Sequence, residues 1–214
     1  MSEENRYGNL IIVSGPSGAG KSAITGYALR SLPDIKFSIS YTTRAPRGGE
    51  RDGVEYFFTD RPKFESLAAA GEFLEWAEVH GNYYGTSRNF IEGFLRQGND
   101  VILDIDVQGA ISVKKTCPDA AAVFVLPPSF EILRERLLRR RLDEAGVIEK
   151  RLKIARDEIS HYHEYDYLII NDDLENAERE LVSIIVNARC RTNARRNIAA
   201  SILNNFGGTD VQNT

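Results

Sequence analysis

The octet Gly15-Pro16-Ser17-Gly18-Ala19-Gly20-Lys21-Ser22 carries a glycine, four residues, and then Gly-Lys-Ser. That is the spacing of a phosphate-binding loop. Glycines let backbone N–H groups point inward at phosphate oxygens, and the positive end of the following helix adds to the attraction. Lys21 is then placed to reach the terminal phosphates of a nucleotide, and Ser22 to hold Mg²⁺ through its hydroxyl. A glycine-rich turn with an exposed lysine is the bland alternative. It fits less well, because the apolar run Leu10-Ile11-Ile12-Val13 precedes the octet and Ile24, Ala28 and Leu32 follow it at helical spacing. The motif specifies nucleotide binding and leaves the acceptor of the phosphate open.

Asp104 and Asp106 end the run VILDID. Residues two apart on a strand project to one face, and the carboxyl end of a parallel strand borders the crevice where ligands sit. One of the two can anchor Mg²⁺, directly or through water. Taken alone, the pair reads equally well as surface carboxylates closing a strand.

Arg44 and Arg47 lie three apart in YTTRAPRGGE. Guanidinium groups suit bidentate contact with a phosphate dianion, so this loop could hold a phosphorylated acceptor. Taken alone, it reads better as a basic surface loop. The segment FLEWAEVHGNYYGTS, residues 73 to 87, gathers carboxylates, two adjacent tyrosines, Thr86 and His80 among apolar residues. His80 fits a turn, and His161 and His163 a helix surface. No histidine has metal-ligand spacing and no nucleophile triad is visible. Phosphoryl transfer requires neither, since its catalysis is positioning and charge neutralisation.

These groups need elements to carry them. Strands are expected at 10–13, within 36–58, at 73–79, 101–106, 121–126 and 167–170. Helices are expected after Lys21, from Asp60 to Gly71, from Ser87 to Gly98, from about 130 through Arg139–Arg141, around 147–162, and from about 175 to 198. Asp60 reads as an N-cap with Pro62 in the first turn, and Ser87 as a second cap. Apolar strands alternating with helices predict an α/β fold with a parallel sheet covered on both faces.

The 214-residue chain carries a net charge of −4, which argues against a general nucleic-acid binder. No apolar run approaches the roughly 20 residues that span a bilayer, and the start Met1-Ser2-Glu3-Glu4 is not that of a secretory signal. Cys117 and Cys190 are expected as reduced thiols, so a cytoplasmic location is expected.

The segments GPSGAGKS, SISYTTRAPRGGERDGVEYFF, FLEWAEVHGNYYGTS, LDIDVQGA, FVLPPS and EYDYLIINDD together resemble guanylate kinase over about Asn9 to Ile198. The resemblance implies a P-loop nucleoside monophosphate kinase that makes ADP and GDP from ATP and GMP with Mg²⁺. It implies a core of about 9–36, 91–129 and 156–205, a mixed GMP-binding lobe near 37–90 and a helical lid near 130–155. The tail 206–214 is expected to fray. Gly15 to Ser22 and Asn171 would bind ATP, with Asn171 near the adenine. Arg44, Arg47, Tyr56 and Tyr84 would hold the GMP phosphate, and Ser40, Glu75, Thr86 and Asp106 would read the base. Guanine O6 suits hydroxyl donors, and its N1–H and N2–H₂ suit carboxylates. Adenine reverses that pattern, so it would leave buried groups unpaired.

Asp104 and Ser22 would serve the metal. Lys21, Arg44 and the lid arginines Arg136, Arg140 and Arg151 would act on the transferring phosphoryl. Where family members carry glycines beside the lid arginine, this chain has Arg139 and Arg141, and Leu142 precedes Asp143, which makes the lid stiffer and more basic. Expected partners are the two nucleotides; no nucleic acid or membrane is expected, and a homo-oligomer is left open. A phosphotransferase for another acceptor would lose the guanine readers. A partner-binding module without activity would lose the phosphate loop. A GTPase would carry an Asn-Lys-x-Asp motif, which is not seen.

Overall fold

The computed structural model describes residues 6–79, 81–139 and 145–206. The expectations for Met1 to Glu4, His80, Arg140, Arg141, Leu142, Asp143 and the tail beyond 206 lie outside these residues. Strand β1 (Leu10–Ser14) is buried along its whole length, as a central parallel strand must be. It leads through the phosphate loop into α1 (Lys21–Ser31). Next come β2 (Ile35–Phe37), β3 (Tyr41–Thr42), β4 (Phe57–Phe58), α2 (Arg61–Ala69), β5 (Phe73–Val79) and β6 (Asn82–Ser87). Helix α3 (Arg88–Arg96), β7 (Asp100–Asp104), α4 (Val107–Thr116) and β8 (Ala121–Leu126) return to the core. The chain then runs through α5 (Phe130–Arg139), α6 (Ala145–Ile159), β9 (Tyr167–Ile170), α7 (Leu174–Arg189) and α8 (Thr192–Asn205).

Two sheets result. The first is parallel, ordered β2-β7-β1-β8-β9, and the second is mixed, ordered β4-β3-β6-β5. Alternate residues of β1 feed opposite cores. Ile11 and Val13 pack with Ile24, Ala28, Leu181 and Ile185 of α1 and α7. Leu10 and Ile12 pack with Ile91, Leu95, Ala110 and Val113 of α3 and α4. Each such side chain contributes roughly 1.5–3 kcal/mol on burial, so the sheet is fixed by many comparable terms. A third cluster, Leu133, Leu137, Ile148, Leu152 and Ala155, joins α5 to α6.

The expected caps form: Asp60 accepts from the Lys63 amide and Ser87 from the Phe90 amide. Both cysteines are free. Among the described residues no helix is long and apolar enough to cross a membrane.

Three expectations need correction. The single helix expected over 175–198 is two, broken at Cys190 and Arg191. Arg191 turns to an extended conformation while its guanidinium donates to the Asp119 carbonyl and the Tyr167 hydroxyl, each at 3.1 Å. Helix α4 and strand β6 carried no sequence signal of their own. Lastly, strand β7 ends at Asp104, so Asp106 is not a strand residue: it is the N-cap of α4, accepting from the Gly109 amide at 2.8 Å.

Candidate active site

The phosphate loop begins where β1 ends. Gly15 has φ +140°, and a Cβ there would stand 2.2 Å from the Val125 carbonyl oxygen of β8, so no side chain fits. Gly20 takes the N-cap position of α1 in a left-handed conformation, with no side chain capping the helix. The first-turn amides are thus left for an anion, the arrangement that phosphate binding requires. Lys21 Nζ donates to the carbonyl oxygen of Gly15 at 2.7 Å.

Behind the loop, the Ala19 carbonyl oxygen accepts from Asn171 Nδ2 at 2.6 Å and from Arg136 Nη1 at 3.5 Å. Arg136 Nη2 also donates to the Asn171 carbonyl, at 2.8 Å. Asn171, expected beside a nucleotide base, is buried and holds the loop backbone. Arg136 is braced on the same strip of chain.

Facing β7 is a cavity of about 240 Å³ lined by Ser40, Tyr56, Glu75, Tyr84, Asp104 and Asp106, with Ala77, Val79 and Ile105. Six of the expected residues, spread over 67 positions from Ser40 to Asp106, therefore meet in one hollow. Thr86 is fully buried and donates to Glu75 Oε1 at 2.5 Å. Its proton is committed to the carboxylate rather than offered to the cavity. Burial drives the Glu75 carboxyl up to about 7; the Thr86 bond opposes this and the Asp106 charge adds to it. Glu75 and Asp106 converge so closely that a Cβ on Gly109 would come within 3.1 Å of Glu75 Oε2 and 3.4 Å of Asp106 Oδ1.

Arg44, which does not itself line the cavity, lies over the ring of the lining residue Tyr56, 5.2 Å from its centroid. Its side chain is 10% exposed and pairs with Glu50 at 2.9 Å. The Glu50 bond is the main reason the guanidinium is held protonated well above its ordinary range, with Tyr84 assisting. Glu50 in turn is pushed below the usual carboxylate range, chiefly by Arg44 and then by the Arg47 amide. Burial raises the Tyr56 phenol. Arg47 is exposed and does not line the cavity.

Burial also raises the Asp104 carboxyl, with the Lys21 charge opposing. Among the described residues that carboxylate has no hydrogen-bond partner. Asp104 and Ser22 supply one carboxylate and one hydroxyl, and among the described residues no cluster of three metal-binding side chains exists. A cation here must complete its shell with phosphate oxygens and water, which is how Mg²⁺ is usually bound. The donor set fits that ion.

A neighbouring cavity of about 510 Å³ is lined by Ser17 of the loop, Asp106, Arg151, Asp157 and Glu158. Arg151 of α6 and Ser17 of the phosphate loop thus border one cavity. Arg140 lies outside the described residues.

Sequence reasoning missed Glu50 and Glu158. Glu158 is seven residues from Arg151 on α6, hence on the same helical face, and that spacing could have flagged it. Glu50 offered only its place in the arginine loop.

A sequence model of the guanylate kinase family matches residues 7–188 of this chain. A guanylate kinase of Alkalilimnicola ehrlichii is 47% identical over 201 residues, covering 94% of this chain and 99% of that protein. One of Carboxydothermus hydrogenoformans is 51% identical over 178 residues, covering 83% and 87%. The crystal structure of guanylate kinase from Anaplasma phagocytophilum is similar with a TM-score of 0.76 at 33% identity, over 96% of this chain and 98% of that one.

Proposed function

This chain belongs to the guanylate kinase family, and from that premise we propose which of its residues move the ATP γ-phosphoryl to GMP. The enzyme is an ATP:GMP phosphotransferase. The 240 Å³ cavity carries the assignment of roles, because it joins the carboxylates of Glu75 and Asp106, acceptors for a base, to Tyr84 and to Tyr56, over whose ring Arg44 lies.

Glu75 and Asp106 accept from guanine N1–H and N2–H₂, and Ser40 donates to O6. Thr86 positions Glu75 through the hydrogen bond between them. Arg44, Tyr56 and Tyr84 bind the GMP phosphate, with Arg47 at the rim. The loop from Gly15 to Ser22 wraps the phosphates of ATP, and Lys21 neutralises charge on the transferring group. Asn171 and Arg136 brace the loop from behind, and Arg136, Arg140 and Arg151 add positive charge above the triphosphate.

Ser22 and Asp104 hold Mg²⁺, which when bound offsets negative charge on the phosphates. Transfer is in line between the two nucleotides, without a covalent enzyme intermediate. Residues 37–90 form the GMP lobe and 130–155 the lid. Lid closure excludes water and limits wasteful hydrolysis.

The assignment of the base readers is tested by ADP formation from Mg·ATP with GMP, AMP, CMP or UMP, against a control without acceptor. Turnover with GMP alone is expected. Comparable turnover with a second acceptor would overturn the roles given to Ser40, Glu75 and Asp106.

A further inference from the structure

At the opposite end of the parallel sheet from the phosphate loop is a second cavity, of about 250 Å³. Its walls are mostly apolar: Leu10 at the start of β1, Leu95 near the end of α3 and Ala120 before β8. Arg88, at the start of α3, lines it and is half-buried. Its guanidinium has no hydrogen-bond or ion-pair partner among the described residues. Two carboxylates also line the cavity: Glu92 is paired with Arg96 at 2.7 Å, and Asp119 accepts from the neutral Asn193 amide at 3.3 Å and keeps its charge. Of the charged side chains lining this mostly apolar hollow, Arg88 is the one without a hydrogen-bond partner among the described residues, and it offers the anchor for a ligand with an apolar body and an anionic group.

Two elements run from this cavity directly into the GMP site. Helix α4 has Asp106 as its N-cap in the GMP cavity and Cys117 as its C-cap lining the second one, so one rigid ten-residue helix touches both. Strand β5 makes the second link. Leu74 lines the distal cavity while its neighbour Glu75 lines the GMP cavity, and the strand register shifts between Phe73 and Glu75. That irregularity falls at Leu74, so a ligand pressing on Leu74 would act on the residue next to Glu75.

We propose that this distal cavity binds a small amphipathic anion, an aromatic or branched aliphatic body bearing one anionic group, and that its occupation alters GMP affinity through Leu74 and α4. Neither the nucleotide sites nor the roles assigned above depend on it.

The probe is anilinonaphthalene sulfonate, which carries apolar rings and one sulfonate. The full chain with Cys190→Ser is used, so that Cys117 is its one remaining thiol. Dye binding is read by fluorescence, access to the cavity by the rate at which iodoacetamide alkylates Cys117, and coupling by the KM values for GMP and ATP. Saturable binding is expected, with slowed alkylation and a shift of about threefold or more in the KM for GMP while that for ATP holds. Arg88→Leu is expected to weaken the dye about tenfold by removing its counter-charge. Ala120→Leu is expected to block it by filling the space. Arg88 is half-exposed, so its variant keeps the test valid if the crowded Ala120 variant folds poorly.

Four results would overturn the proposal: no saturable binding, complete competitive displacement of the dye by GMP or ATP in place of the limited change in dye affinity that reciprocal coupling to GMP requires, a dye affinity indifferent to Arg88→Leu, or bound dye that leaves the KM for GMP unchanged. Binding and thiol protection are read without turnover, so their failure is distinct from failure of the roles assigned to the catalytic residues.

Discussion

The Asn171 side chain sits directly against Gly20: its Nδ2 donates 2.6 Å to the Ala19 carbonyl oxygen, and a Cβ on Gly20 would stand 2.1 Å from that nitrogen. The loop that wraps phosphate is therefore held from behind by a buried amide that directly follows the edge strand β9.

Asn171→Ala leaves the Ala19 carbonyl with only the long contact from Arg136 at 3.5 Å. An under-satisfied buried carbonyl costs roughly 1–3 kcal/mol. Part of that is paid in loop geometry, so the KM for ATP is expected to rise about tenfold with little change in that for GMP. Steady-state kinetics varying each substrate in turn decide this, and an equal rise in both would remove the specific link to the loop. Gly20→Ala is expected to be worse, since it combines the clash with φ +101°. In the Asn171→Ala background the clash is gone and the strain remains, so the second substitution should cost less there than in the parent.

The Glu75 carboxyl, lifted by burial to about 7 from 4.5, gives the protein a pH signature. Ionising it is harder in the folded chain than in the unfolded one. Its contribution to stability is therefore fully present below pH about 4.5 and is lost as the pH rises through about 7. GMP works in the opposite sense, because its N1–H and N2–H₂ donate to the carboxylate and favour ionisation. GMP affinity is expected to strengthen as the pH rises from about 6 to 8. The GMP phosphate titrates too, but equally for parent and Glu75→Gln, so the difference between the two profiles isolates Glu75. Parallel KM profiles for parent and variant would contradict the role given to Glu75. Glu75→Gln should also weaken GMP use far more than ATP binding.

What the sequence made visible, and what it hid, divides by the reach of the interaction. The phosphate loop is eight consecutive residues whose chemistry is local, and the caps at Asp60 and Ser87 each reach only three residues. Thr86 and Glu75 become partners only through the antiparallel register of β5 on β6. That register could not be read, because Gly85 interrupts the pattern of β6; the glycine is there because a Cβ would meet Phe64 at 2.9 Å. Helix α4 was hidden in a similar way. Asp106 reads as the last strand residue until it is seen capping Gly109, and β-branched Val107, Ile111, Val113 and Thr116 obscure the helix behind it. Both acidic residues still reach the cavity, Asp104 from the strand end and Asp106 from the cap. The break at Cys190 has no glycine or proline to announce it, since it depends on Arg191 finding partners in Asp119 and Tyr167.

Glu50 shows how a surface carboxylate can serve the acceptor site. Its Oε1 accepts from Arg44 Nη2 at 2.9 Å and its Oε2 from the Arg47 amide at 2.8 Å, so it fixes both the guanidinium and the loop that bears it. Glu50→Ala is expected to raise the KM for GMP about three- to tenfold, with a smaller effect on kcat, because Arg44 keeps its charge and loses its fixed direction. Added salt should narrow the gap between parent and variant. A KM for GMP within error of the parent would show that Tyr56, Tyr84 and the Ala45 carbonyl, which accepts from Arg44 Nη1 at 2.9 Å, suffice to orient the arginine.

Lys21 separates charge from architecture. Its side chain reaches only backbone carbonyls of its own loop, Gly15 at 2.7 Å and Pro16 at 3.5 Å, and it buries no apolar surface that the core needs. Truncation should therefore leave the fold and its melting temperature close to the parent's. The ammonium is the one side-chain cation of the loop itself, and phosphoryl transfer depends on neutralising charge that spreads over the moving oxygens. Lys21→Ala is expected to lower kcat by at least about 10²-fold, as loss of a charge-stabilising donor does in other enzymes. GMP binding, measured by calorimetry without ATP, should be unchanged, because the acceptor cavity does not include Lys21. If GMP binding falls along with kcat, Lys21 acts through the shape of the site. If kcat stays within about tenfold of the parent, Lys21 is not part of the transfer step, and the charge falls to Arg136, Arg140 and Arg151.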